Sequence, residues 1–139
     1  MKKAKLVLGV LIALVVVLLG GWIWGASGKG TLDRALEASE LSNDLLEARS
    51  SVLAARLDLY SVNFGDTSRH LESARAQLGR AEEQLKGLGR KDDVKQLQTA
   101  LAQIDEAQRL ARRLDQSANT RAAEAATIID KVLGDKPAR

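Results

Sequence analysis

From Leu41 to Val132, apolar residues return every three or four positions, and no proline interrupts them. The chain's one proline is Pro137, so the backbone before it contains no hard helix breaker. Steps of three and four put side chains on one face of an α-helix, whereas a half-buried strand needs strict alternation. Composition points the same way. Ala and Leu supply 44 of the 139 residues, and together with Glu, Lys and Arg they supply 73. Such a mixture belongs to long helices and coiled coils. The expected fold class is all-α.

Three helical runs can be read. Thr31 can cap the first, with Asp33 near the positive end of its dipole. Leu41, Leu45, Ala48, Val52, Ala55, Leu59 and Val62 then form a stripe, which Leu46, Leu53 and Tyr60 broaden into one wide apolar face. This predicts a helix over about 31–63. In the segment Asn63-Phe64-Gly65-Asp66-Thr67-Ser68, Asn and Gly can close one helix and Asp66 or Thr67 can cap the next. A second run, Leu71, Ala74, Leu78, Ala81, Leu85 and Leu88, predicts a helix over about 66–87. A single helix over 31–87 could also hand its seam to a neighbouring face. The turn is preferred because a mid-helix Gly65 costs about 1 kcal/mol relative to Ala.

Gly87-Leu88-Gly89 marks the next break, with Gly87 as the left-handed residue. After it, Val94, Leu97, Leu101, Ile104, Gln108, Ala111, Asp115, Ala118, Ala122, Ala125, Ile129 and Val132 hold the a and d positions of one uninterrupted heptad series. This predicts a single third helix over about 92–133, with Gln108 and Asp115 as polar intruders. Residues 135–139 should fray. Short connections make neighbours antiparallel. Residues 29–134 therefore read as a long helical hairpin or three-helix antiparallel coiled-coil bundle. An alanine-rich core removes little area from water, so self-association or a helical protein partner is expected.

Ahead of this domain lies a segment of another kind. Leu6 to Gly28 is a run of 23 uncharged residues. About 20 helical residues cross a bilayer's hydrocarbon core, and helix is the form open to a lone segment in lipid. Lys2, Lys3 and Lys5 precede the run, and Trp22 and Trp24 stand near its far end, where indoles favour the headgroup zone. The expectation is a signal anchor: residues 1–5 a cytoplasmic basic tail, 6–28 a single transmembrane helix, and the following domain outside the cytoplasmic (inner) membrane, periplasmic or extracellular. Gly21 and Gly25 form a GxxxG pair, a spacing that lets membrane helices approach closely. Cleavage as a signal peptide is the competing reading. It fits less well, because cutting after Ala26 leaves Trp24 where a small residue is needed.

The net charge of +3 equals the contribution of Lys2, Lys3 and Lys5, and the remaining basic and acidic residues number 18 each. A nucleic-acid binder needs a basic excess on one face, so no nucleic-acid partner is expected. The lipid bilayer is. No cysteine is present, which excludes disulfides and thiolate metal sites, and His70 is the only imidazole. Glu82-Glu83, Asp92-Asp93 and Asp105-Glu106 are adjacent pairs, which point about 100° apart on a helix and so form no acid–base dyad. No catalytic, cofactor or metal residue is assigned, no small-molecule substrate is evident, and the protein is not expected to be an enzyme. Tyr60, Asn63 and Phe64, which include the only Tyr and the only Phe, are the candidate partner-binding tip. The functional expectation is a membrane-anchored, non-catalytic helical scaffold or interaction protein of the cell envelope, working through helix–helix contacts. A sensory or regulatory accessory subunit of a membrane complex is the second reading. A secreted helical binding protein is the third, should the N-terminal segment be removed.

Overall fold

The structure, a computed structural model, describes residues 32–134, and every regular element among them is helical. The chain divides into two compact units, 1–38 and 39–139. In the first, the described residues 32–38 are helical and exposed. The transmembrane helix expected at 6–28, its flanking lysines and tryptophans, the Gly21–Gly25 pair and the tail at 135–139 lie outside the described residues. Among the described residues no helix is long and apolar enough to cross a membrane.

Four helices are described: α1 (32–60), α2 (Phe64–Gly87), α3 (Lys91–Ala111) and α4 (Ala118–Gly134). Within the second unit they form an up-and-down bundle. Polar ties between α1 and α2 run from Asp44–Arg80 through Ser51–Gln77 to Asp58–His70, numbers rising on one helix as they fall on the other. Glu82–Gln98, Arg75–Asp105 and Glu72–Gln108 set the same antiparallel relation between α2 and α3. α3 packs on α4, and α4 returns to α1 through Arg49–Asp130 and Arg56–Asn119. Each helix thus neighbours the next, as short connections require.

The core follows the heptad logic, and large and small residues alternate throughout on α2. Leu41, Leu45, Ala48, Val52, Ala55 and Leu59 line α1, and Leu71, Ala74, Leu78, Ala81 and Leu85 line α2. Leu97, Ala100, Ile104, Ala107 and Ala111 line α3, and Ala118, Ala122, Ala125, Ile129 and Val132 line α4. Leucines facing alanines let the helices interdigitate at close range.

Three sequence readings need correction. The bundle has four helices, not three, because the expected helix over 92–133 is broken at residues 112–117. Leu114 turns left-handed, and the Asp115 carboxylate accepts from the Ser117 amide (2.9 Å) and hydroxyl (2.7 Å), an Asx turn that redirects the chain. Second, the broad stripe on α1 is two faces. Leu45 is buried, whereas Leu46 and Tyr60 are exposed and Leu53 is only part-buried. Third, the left-handed residue closing α2 is Gly89 (φ 69°), with Gly87 the last helical residue and Leu88 exposed.

Candidate interaction surface

The ends of α1, α2 and α3 share one closing motif. After α1, the Val62 amide bonds the Leu59 carbonyl and the Asn63 amide reaches back to Asp58. Gly89 to Lys86 with Arg90 to Leu85 repeats the pattern after α2, and Leu114 to Ala111 with Asp115 to Leu110 repeats it after α3. This is the Schellman arrangement, whose pivotal residue is left-handed. Gly89 fills that place without steric cost. Val62 (φ 58°) and Leu114 (φ 57°) fill it with a Cβ in the way.

Both strained residues lie at the same end of the bundle, opposite the end at which residue 39 enters it. There the α1–α2 and α3–α4 connections frame a cleft of about 250 Å³ lined by Leu59, Tyr60, Val62, Phe64, Leu114, Gln116 and Asn119. Its rim is apolar and open: Tyr60, Val62 and Leu114 are 71%, 65% and 65% exposed. Two of its lining residues, Leu59 and Phe64, belong to a small separate core with Ala111, Ala118 and Leu110. Asn119 is held by the Arg56 guanidinium, 2.8 Å away.

Of the three candidate tip residues, Tyr60 and Phe64 line the cleft. Asn63 instead caps α2. Its side-chain oxygen accepts from the Asp66 amide (3.3 Å), its amide donates to the Asp66 carboxylate (2.6 Å), and its carbonyl accepts from the buried Thr67 hydroxyl (2.9 Å). Val62, Leu114, Gln116 and Asn119 were not singled out from sequence. Val62 belongs by spacing to the core stripe of α1 but is exposed beyond its end, and the other three come together only because α3 and α4 are separate helices.

Exposed apolar side chains are concentrated on α1. Leu32, Leu36, Leu46, Leu57 and Tyr60 on that helix are each at least half exposed, and Val62 follows it. The charged groups elsewhere form surface ties rather than a converging site. The Glu82 carboxyl is held below its ordinary value, first by the Gln98 amide and then by Lys86. Glu106 is lowered by Arg109, and Asp115 by the Ser117 hydroxyl and amide. His70 lies 2.7 Å from the Asp58 carboxylate, a tie between α1 and α2. Among the described residues no group of three acidic, histidine or cysteine side chains is placed to hold a metal ion.

Fold and surface define a class: an antiparallel four-helix bundle with an apolar cleft at one end and exposed leucines and a tyrosine on the outer face of its first helix. Comparison with known proteins found no match, whether to a protein family, to curated sequences or to solved structures.

Proposed function

We propose that the chain is a membrane-anchored, non-catalytic scaffold or interaction protein of the cell envelope that works through helix–helix contacts. The observation that carries this reading is the apolar surface of α1 outside the core, which extends to the open cleft at its end. Exposed leucines and a tyrosine gathered on one outer face mark a surface suited to a second partner. The anchor rests on the uncharged run from Leu6 to Gly28 and the three lysines before it.

The test uses the full chain in cells. A cysteine introduced as Thr127→Cys, an exposed position on α4, reports the side of the membrane on which the bundle stands. The expected result is a chain of full mass that stays in the membrane pellet after carbonate washing and is labelled in intact cells by an impermeant maleimide. A soluble chain would end the anchored reading, and labelling only after lysis would end the reading that the bundle stands outside the cytoplasmic membrane. A mature mass lacking the first segment would move the protein to the secreted class.

A further inference from the structure

Within the bundle, Ser39, Asn43, Leu46, Ser50, Leu53, Leu57 and Tyr60 follow one another on α1 at alternating steps of four and three. At 100° per residue they form one stripe, roughly opposite the buried face that runs from Leu41 to Leu59. Ser42, Ala54 and Ser61 fill its margins, so no charged residue interrupts it. Leu46, Leu57 and Tyr60 are 51%, 69% and 71% exposed. In sequence, Leu32 and Leu36 continue the same spacing.

The two edges of the stripe differ in charge. Arg49 and Arg56 border it on the side of α4, where they meet Asp130 and Asn119. Glu47 and, one heptad earlier, Glu40 border it on the side of α2, where Glu47 meets Gln77. We infer that this face pairs with the same face of a second copy, the two α1 helices lying parallel.

The charge of the edges favours one direction, although Arg49 is already paired with Asp130 within its own chain. In a parallel pair the two-fold axis runs along the helices and sets each basic edge beside the partner's acidic edge. In an antiparallel pair the axis crosses the helices and sets the arginine edge against the partner's arginine edge, where like charges repel. With Leu46, Leu53 and Tyr60 at d, the a positions are Asn43, Ser50 and Leu57. The asparagine at one a position can fix the register of such a seam, at a cost in stability. Ser50 lets the helices come close at mid-seam. The pairing names the partner of the scaffold proposed above and rests on that reading, since two chains anchored by the same end in one membrane also stand parallel.

The chain has no cysteine of its own, so single cysteines report contacts cleanly. Leu46→Cys, Leu57→Cys and the outward control Thr127→Cys are each made in the full chain and oxidised where the chain resides in the cell. The expected result is disulfide-linked dimers for the first two and none for the control. Dimers only when Leu46→Cys and Leu57→Cys chains are mixed mean an antiparallel pair and overturn the inference. Linkage no greater than the control also overturns it. As a second measurement, Leu46→Glu/Leu57→Glu should keep its helical circular dichroism, since both sites are exposed, while the molar mass by light scattering falls from two chains to one. A two-chain mass in that variant, made together with Gly21→Leu/Gly25→Leu so that the N-terminal segment cannot supply the contact, overturns the inference. Fractionation of the same samples reads the anchor separately. Links in a soluble chain keep the pairing and remove the anchor, and a membrane chain without links does the reverse.

Discussion

Val62 and Leu114 take the same left-handed backbone conformation, φ 58° and 57°, and line the same cleft from two different connections. Each occupies the position that Gly89 fills at the opposite end of the bundle. A left-handed L-residue costs roughly 1–2 kcal/mol, and the β-branched Val62 stands at the unfavourable end. Replacement by glycine removes the clash but adds unfolded-state entropy worth about 0.5–1 kcal/mol. Val62→Gly should therefore stabilise the protein by about 0.5–1 kcal/mol, and Leu114→Gly by somewhat less. Urea denaturation followed by circular dichroism measures both. Destabilisation by either change would show that the exposed apolar side chain makes contacts worth more than the strain.

That pairing of strained residues also explains what the sequence conceals. The α1–α2 turn is legible because Asn63 and Gly65 can close a helix and Leu71 falls out of phase with the first stripe, but the cap is Asn63 rather than the expected Asp66 or Thr67, and α2 begins at Phe64 rather than 66. The α3–α4 turn carries no such signal. Ala111 and Ala118 are both buried and seven residues apart, so the loop between them preserves the heptad count and imitates a continuous helix. Leucine, not glycine, makes the left-handed step. The one cue was Asp115, a charge on the expected seam, with Ser117 two residues on. The cleft was half legible for the same reason: Tyr60 and Phe64 stand out as unusual residues, while Leu114, Gln116 and Asn119 need the hidden turn. On α1, a heptad register alone cannot separate one wide face from two opposed ones when Leu45 and Leu46 are adjacent.

Gly79 lies in the middle of α2, and a Cβ built there meets nothing within 4 Å. Glycine in a helix interior costs about 0.8–1.0 kcal/mol relative to alanine, chiefly through backbone entropy. Gly79→Ala should raise stability by about that amount in the same denaturation experiment. A loss of stability would show that this position is covered by something packed against α2.

Leu85 and Leu88 belong to one apolar run in sequence, but Leu85 is fully buried and Leu88, past the helix end, is 45% exposed. Truncating a buried leucine removes its transfer energy and leaves a cavity, at a cost of about 2–5 kcal/mol. An exposed site of this kind contributes within about 0.5 kcal/mol. Leu85→Ala should lower the unfolding midpoint strongly and Leu88→Ala hardly at all. Equal losses would move the end of the α2 core one turn further along.

The shifted groups fix how stability responds to pH. Glu82 lies below its ordinary value of 4.5 because the Gln98 amide and Lys86 bond its charged form, and Glu106 lies below 4.5 because of Arg109. Asp115 lies below its ordinary 3.8 because the Ser117 hydroxyl and amide donate to it. A depressed folded pKa means that the unfolded chain binds the proton more readily. Each contribution is complete above the ordinary value and is lost as pH falls through the lower folded one. Lys86 has the opposite sign. Its pKa is raised above 10.5, first by Glu83 and then by Glu82, so its contribution holds below 10.5 and is lost as pH climbs through the raised value. The unfolding midpoint should therefore stay level through neutral pH and fall at both extremes. Lys86, Glu106 and Asp115 are solvent-accessible and the Glu82 side chain is 14% exposed, so the slopes should be shallow and should flatten further in salt. Glu82→Gln should weaken the acid-side slope and, by removing one partner of Lys86, soften the alkaline one as well. Midpoints across the pH range for Glu82→Gln and the unaltered chain check this, and two superimposable curves would show that the Glu82–Gln98–Lys86 cluster contributes nothing to the fold.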